Sequence, residues 1–304
     1  MKSNLPLKQT ANNRKDAELK VFSTVAETRH WCRQQLRENH SIGFAPTMGA
    51  LHEGHLSLVR QANEQCDRSV VSIFVNPTQF APHEDLDQYP RPIENDLALL
   101  KQAGTHAVFL PSVQEMYPGD PGDASTKVLP SSVALPLEGV HRPDHFVGVA
   151  TVVMKLLQIV PADRAFFGRK DFQQLCVIEH MARDLSMATD IVPCPIVREE
   201  DGLAMSSRNR YLSTEERKRA LCLSKALQAV QQAFDAGQRD PSELELVMKE
   251  LLKPCDNLDY AVVVDRESLL PVSKITRSAV ALIAARIGKT RLIDNCELTL
   301  ANNV

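Results

Sequence analysis

The sequence contains no long block of lysine or arginine, and its 35 basic and 38 acidic side chains leave a formal charge of -3 with a pI near 6.3. That balance provides no electrostatic footprint for nucleic acid or anionic lipid, so small molecules are the expected partners, with no nucleic acid and no membrane. No apolar run reaches membrane-spanning length. Residues 1–18 are polar throughout, without the apolar core of a secretory signal, and are expected to form a disordered tail. The seven cysteines (Cys32, Cys66, Cys176, Cys194, Cys222, Cys255, Cys296) include no Cys-x-x-Cys pair. An odd, scattered set does not read as a disulfide framework, and a reducing cytoplasm is the expected setting. There is no internal repeat and no low-complexity tract.

What is present is enough apolar sequence for a real core: 304 residues at 43% hydrophobic, a length that points to two domains. Residues 41–76 read as strand, helix, strand: SIGFAPT, then HLSLVRQANEQC, then SVVSIFVN. The pattern recurs as ENDLALLKQAG before THAVFLP, VGVATVVMKLLQIV before RAFFG, and KDFQQLCVIEHMARDL before DIVPCPIV. Strands apolar on both faces, alternating with helices, predict an α/β domain with a doubly wound parallel sheet over residues 19–195. After Val197 the texture changes. Ser213 and Glu216 form a capping box, and Asp240-Pro241 supplies an N-cap and an N1 proline for a second helix. Three β-like segments follow, the last two separated by Gly288-Lys289 as a hairpin turn, so residues 196–304 are expected to form a smaller α+β domain.

Four segments carry chemistry. Met48-Gly49-Ala50-Leu51-His52-Glu53-Gly54-His55 lies between the first buried strand and its helix, where an open parallel sheet binds ligands. Its helix N-terminus suits an anion such as a polyphosphate. Spacing excludes a P-loop, since His55-Leu56 follows Gly54, and a zincin, since the histidines stand three rather than four apart. Helix capping or packing remains the structural alternative for the two histidines. Asn76 and Gln79 follow the next strand, with amides able to orient a carboxylate or hydroxyl, although Asn-Pro is also a common turn starter. Gly168-Arg169-Lys170-Asp171, with Gln174 one turn on, offers a cation for phosphate oxygens; a surface Lys-Asp pair is the alternative. Met205-Ser206-Ser207-Arg208 gathers hydroxyls and a guanidinium suited to β- and γ-phosphates, or else forms a polar linker.

In order along the chain, PTMGALHEGHLSLVR, FVNPTQF, EDLDQYPR, LEGVHRPDHFVGV, GRKDFQQL, REEDGLAMSSRN and GKTRLIDN resemble the pantothenate synthetase family, and they span most of the chain from Val21 to Asn295. The HxGH element alone is similar to the wider nucleotidylyltransferase superfamily, which includes class I tRNA synthetases. The specific resemblance implies a Rossmann-like ATP and pantoate domain, a C-terminal lid and a homodimer. The apolar strand Val70 to Val75 further suggests that the dimer forms through the N-terminal domain. The resemblance also implies ATP contacts from Met48 through His55 (Met48, Gly49, Ala50, Leu51, His52, Glu53, Gly54, His55), from Gly168, Arg169, Lys170 and Asp171, and from Val197, Met205, Ser206, Ser207 and Arg208. Gln79 and Gln174 would bind pantoate, and Gln79 also β-alanine. Two departures touch the substrate loops: Arg169 where Glu or Lys is more usual, and Asp144 where RPGHF would be expected. The leader before Glu18 is longer than the family needs.

The implied reaction is ATP-dependent condensation of pantoate with β-alanine through a pantoyl adenylate, with Mg²⁺ accompanying ATP and no protein metal ligand assigned. Pantoate's carboxylate is already a nucleophile, so the obstacle is charge. His52, His55 and Lys170 are the candidates for meeting it in the transition state. Another HxGH adenylyltransferase, which would leave a stable adenylylated product, and a non-catalytic ATP-binding module are the alternative readings. A class I tRNA synthetase is disfavoured because the chain carries no basic stretch. His141, Arg142 and His145 are expected in a flexible substrate loop, with surface decoration as the alternative for the two histidines, and no catalytic role is assigned to them.

Overall fold

The computed structural model describes residues 18–81, 84–119 and 126–300. Residues 1–17 of the expected tail lie outside the described residues. Strands β1 (Lys20–Phe22), β2 (Ile42–Thr47), β3 (Arg68–Ile73), β4 (Ala107–Phe109), β5 (Arg164–Gly168) and β6 (Asp190–Cys194) form one sheet in the order β1-β4-β3-β2-β5-β6, with every pairing parallel. Successive side chains of a strand face opposite ways, and here both faces are covered. Ile42, Phe44, Val70, Ala107, Phe109, Ala165 and Phe167 pack on one side with helices α1 (Val25–Arg37), α6 (His145–Ile159) and α7 (Phe172–Asp184). Ala45, Val71, Val108 and Phe166 pack on the other with α2 (Glu53–Gln65) and α3 (Ile93–Gln102). This is the Rossmann-like doubly wound arrangement. Short helices α4 (Val113–Met116) and α5 (Glu138–His141) lie in the connection between β4 and α6.

The strand order fixes where a ligand can sit. From β2 the chain winds outward through β3 to β4, then returns through α6 to place β5 on the other side of β2. The carboxyl ends of β2 and β5 therefore flank the switch point, where the connections diverge and leave a crevice.

The apolar run Val70 to Val75, expected to favour a dimer interface, has a different explanation. β3 lies between β2 and β4, and Val70, Val71 and Ile73 are buried in this chain's own core, so they offer no surface to a second copy. Sequence pattern also passed over β1 and α1, because the inward face of α1 is half polar: Thr28 and Gln35 are buried beside Trp31 and Cys32.

Helices α8 (Thr214–Asp235) and α9 (Pro241–Leu251) start at the expected caps, with Ser213 accepting from Glu216 N and Asp240 accepting from Ser242 N. They cover an antiparallel sheet of β7 (Asn257–Asp265), β8 (Ala279–Ile287) and β9 (Thr290–Leu298), ordered β7-β8-β9. Gly288 turns the β8–β9 hairpin at φ +57°, in the left-handed region that glycine tolerates. Ala281, Ile283 and Ala285 of β8 face α8 and α9, while Val280 and Leu282 join the core of the first domain. The central strand is thus apolar on both faces. Among the described residues no helix is long and apolar enough to cross a membrane.

Candidate active site

The crevice at the switch point encloses about 240 Å³ and opens through Arg142, Lys170, Asp171, Ser206 and Arg208 into a larger mouth of about 840 Å³ beneath the C-terminal sheet. Its wall nearest β2 begins with a strained turn. Gly49 (φ +82°) and Ala50 (φ +49°) are both left-handed, a conformation that costs a residue with a Cβ roughly 1–2 kcal/mol. Asp96, fully buried on α3, holds that turn: its carboxylate oxygens accept from Ala50 N and Leu51 N, each at 2.8 Å. Burial raises its carboxyl above the usual range, against the pull of the two N–H groups. A Cβ at Gly49 would press on Ile73 at 3.0 Å and Asp96 at 3.1 Å, and the left-handed φ disfavours one there as well.

The turn delivers His52 as the N-cap of α2 and His55 in its first turn, with ring centroids 4.1 Å apart. Burial, with the Lys170 charge beside it, pushes His52 down to about 4; burial and the neighbouring His52 push His55 down to about 3. Both imidazoles are therefore neutral near pH 7. His52 N donates to His55 Nδ1 at 3.3 Å, an assignment that places the His55 proton on Nε2. In this geometry the pair carries no charge of its own, and what each ring can offer is a hydrogen bond. Gly54 accommodates this packing, since a Cβ there would stand 2.9 Å from the His52 ring.

Across the crevice, β5 ends at Gly168 and a 3-10 turn carries Lys170 and Asp171, whose side chains pair at 3.3 Å. Burial acts to raise the Asp171 carboxyl, and Lys170 overcomes it, leaving the group below the usual carboxylate range. Asn295 of β9 clamps the turn from behind by donating to the carbonyls of Arg169 and Lys170, both at 2.9 Å. Arg169 itself turns away to Glu297 at 2.7 Å. The third wall is the loop 197–208. Arg198 makes two bonds to buried Asp294 (2.7 and 3.0 Å), and Asn209 donates to Glu199 (2.7 Å) and to Ala204 O (3.0 Å). These anchors aim Ser206 and Ser207 at the crevice. Arg208 there is held by both oxygens of Asp85, at 2.8 and 3.2 Å.

The floor follows β3. Asn76 is locked by Tyr117 and Thr78, which donate to its Oδ1 at 2.8 and 3.0 Å, and its amide donates to Gln79 Oε1 at 3.1 Å. The network leaves the Gln79 nitrogen as a donor, touching Met48 Sδ at 3.2 Å. Gly148 of α6 packs so closely that a Cβ would lie 2.3 Å from Thr78 O. Beyond it Val149, Val152, Val153 and Leu156 form an apolar wall.

Of the residues singled out from sequence, Met48, His52, Gly54, His55, Gln79, Gly168, Lys170, Asp171, Gln174, Val197, Met205, Ser206, Ser207 and Arg208 line the one crevice. Gly49, Ala50, Leu51, Glu53 and Arg169 do not. Ala50 and Leu51 give their N–H groups to Asp96, and Glu53 pairs with Arg60 on the outside of α2. Sequence reasoning missed Asp96 and Tyr89, and left Arg142 and His145 without a role. Arg142 and His145 line the crevice too. Glu84 holds Arg142 through bonds of 2.6 and 2.7 Å, and His145, pushed down to about 4 by burial and then by Arg142, bonds Gln79 O at 2.9 Å. The cue was available: an acidic Glu84-Asp85 pair in one motif and basic residues in two others.

Residues 20–297 match the family described as pantoate-beta-alanine ligase. A pantothenate synthetase of Rhodopirellula baltica is 65% identical over 283 residues, covering 93% of this chain and all of that protein. One from Acidobacterium capsulatum is 52% identical, covering 90% of this chain and 94% of its own length. The crystal structure of a Thermus thermophilus pantothenate synthetase superposes with a TM-score of 0.86 at 44% identity, over 92% of this chain and 100% of that one. A pantoate-beta-alanine ligase from Francisella tularensis, solved with β-γ ATP and β-alanine, gives 0.75 at 32% identity over 92% and 97%.

Proposed function

The chain belongs to the pantoate-beta-alanine ligase family, and we propose on that premise that its crevice activates pantoate with ATP as an acyl adenylate and passes the acyl group to β-alanine, releasing AMP. One observation carries the assignment of residues: phosphate-type donors (His52, His55, Lys170, Ser206, Ser207) and acid-orienting amides (Gln79, Gln174) line the same cavity. A reaction between a carboxylate and a nucleoside triphosphate needs both in one place.

In the first step a pantoate carboxylate oxygen attacks the α-phosphorus and pyrophosphate leaves. Gln79 and Gln174 orient the acid, and the α6 wall of Val149, Val152, Val153 and Leu156 suits its two methyl groups. Lys170 meets the charge that grows on the transferring phosphoryl group, while neutral His52 and His55 donate hydrogen bonds to it. Ser206, Ser207 and Arg208 hold the β- and γ-phosphates once Arg208 exchanges Asp85 for phosphate oxygens. In the second step the β-alanine amine, near Gln79, attacks the acyl carbonyl and AMP departs. The C-terminal unit from residue 196 acts as the lid that keeps water from the anhydride.

Among the crevice-lining residues the only carboxylate is Asp171, and among the described residues no cluster of three or more metal-ligating side chains occurs. That donor set fits Mg²⁺ arriving with the triphosphate, toward which Asp171 would be the protein's contribution. When bound, the ion supplies charge neutralisation to the phosphates. The family resemblance also supports a homodimer. Exposed Leu129, Leu135 and Val140 are apolar side chains available to it, and sedimentation at the mass of a single 33.8 kDa chain at micromolar concentration would count against it.

The test separates the half-reactions. The protein should catalyse pantoate-dependent exchange of labelled pyrophosphate into ATP without β-alanine, and ¹⁸O from the pantoate carboxylate should appear in AMP after turnover. Lys170→Ala should slow the exchange by roughly 10²–10³ while the fold survives. Exchange that ignores pantoate would point to a different adenylyl acceptor; label in inorganic phosphate would point to an acyl phosphate.

A further inference from the structure

Away from the crevice, two cysteines that stand 33 positions apart meet. Cys222 lies on the inward face of α8, and Cys255 follows α9 in the turn that leads into β7; their sulfurs are 3.4 Å apart. All seven cysteines are free thiols. Cys222 is 7% exposed, whereas Cys255 is half-buried and open to solvent. The turn that carries Cys255 is firmly placed: Arg219 of α8 donates to Pro254 O at 3.2 Å and to Asp256 at 2.8 Å, and Asp256 accepts from Gly288 N at the β8–β9 hairpin. The thiols are thus held together by packing on both sides. Closing to a bonded S–S length of about 2.05 Å takes a movement of little more than 1 Å, within reach of side-chain rotation.

We propose that Cys222 and Cys255 form a redox-active dithiol, a site of reversible oxidation by small disulfides that staples α8 to the turn before β7. The Cys255 thiolate, the accessible one, attacks the external disulfide, forms a mixed disulfide and expels one thiol. The Cys222 thiolate then attacks the Cys255 sulfur and expels the second. The protein dithiol loses two protons and two electrons, and the external disulfide is reduced to two thiols. Geometry supports this order: of the two sulfurs Cys255 is the one open to an external reagent, and buried Cys222, 3.4 Å away, is placed to attack it next.

The test uses the intact protein with oxidised glutathione, followed by alkylation and non-reducing peptide mapping. A Cys222–Cys255 linked peptide should be the first product, with two of the seven thiols lost, and dithiothreitol should restore both. Cys222→Ser should stop at a stable glutathione adduct on Cys255. Cys255→Ser should leave Cys222 unmodified. The oxidised wild type should melt a few degrees above the reduced protein, since the link restricts the unfolded chain, and neither serine variant should show that difference. A glutathione adduct that persists on wild-type Cys255, first oxidation at another cysteine, or no loss of thiols would each overturn the proposal.

Discussion

Replacing Asp96 with asparagine would test whether the strained β2–α2 turn is held from a distance. The wild-type carboxylate gives one oxygen to each of two buried N–H groups, Ala50 and Leu51, both at 2.8 Å. Asparagine keeps one oxygen and turns an NH₂ toward the other N–H. One hydrogen bond to a charged group, worth about 1.5–3 kcal/mol, is lost, and a buried donor faces another donor, so the expected destabilisation is about 2–4 kcal/mol. The released turn can then relax from its left-handed Gly49-Ala50 conformation. Because His52 and His55 follow directly, a displacement on the order of 1 Å should slow adenylation by roughly 10². The assay pairs urea unfolding with pantoate-dependent pyrophosphate exchange, both on the same preparation. A folded Asp96→Asn protein that loses stability but exchanges within about twofold of wild type would refute the link between this carboxylate and the histidines. Unchanged stability would refute the hydrogen-bond argument itself.

Two glycines should respond oppositely. Gly148→Ala drives a Cβ to 2.3 Å from Thr78 O and should both destabilise the fold, by about 1–3 kcal/mol or more, and raise the KM for pantoate, whereas Gly168→Ala has no atom within 4 Å and should leave the melting temperature unchanged while weakening ATP binding. Equal melting temperatures for the two variants would contradict this reading. Asp85→Asn removes the carboxylate that competes with phosphate for Arg208, so the KM for ATP should fall; a rise would mean that Asp85 serves the liganded state instead. Acid should weaken the fold below neutrality. His52, His55 and His145 sit at about 4, 3 and 4, below the roughly 6.5 of an unfolded histidine. Between those values the unfolded chain binds more protons, so stability is present above about pH 6.5 and is lost as pH falls toward 4, with up to ~1.4 kcal/mol per pH unit from each residue. Urea unfolding at pH 7.5, 6.5 and 5.5 should show the decline, a His145→Gln variant should lessen it, and a flat profile would contradict the buried neutral histidines.

The sequence by itself determined what depends on near neighbours along the chain. Strand and helix periods, the Ser213 and Asp240 caps and the Gly288 hairpin are local, and each formed where the pattern placed it. HxGH sits on the turn after β2 for the same reason, and GRKD on the turn after β5. Local pattern could not say which strands lie side by side. The apolar run Val70 to Val75 looked like a surface for a partner and is an internal strand, because burial on both faces leaves the same sequence signature as an interface. Only the tertiary structure decided that β5 returns beside β2, and that choice turns two separate motifs into opposite walls of one crevice. It also decided the long-range polar contacts: Asp96 reaching back 45 and 46 residues to Leu51 and Ala50, Asp85 holding Arg208 across 123, and Cys222 touching Cys255 across 33. A carboxylate, a guanidinium or a thiol carries no signature of its partner in its own neighbourhood, since the energy that pairs them arises only when the packed core brings them within a few ångströms and removes the water between them.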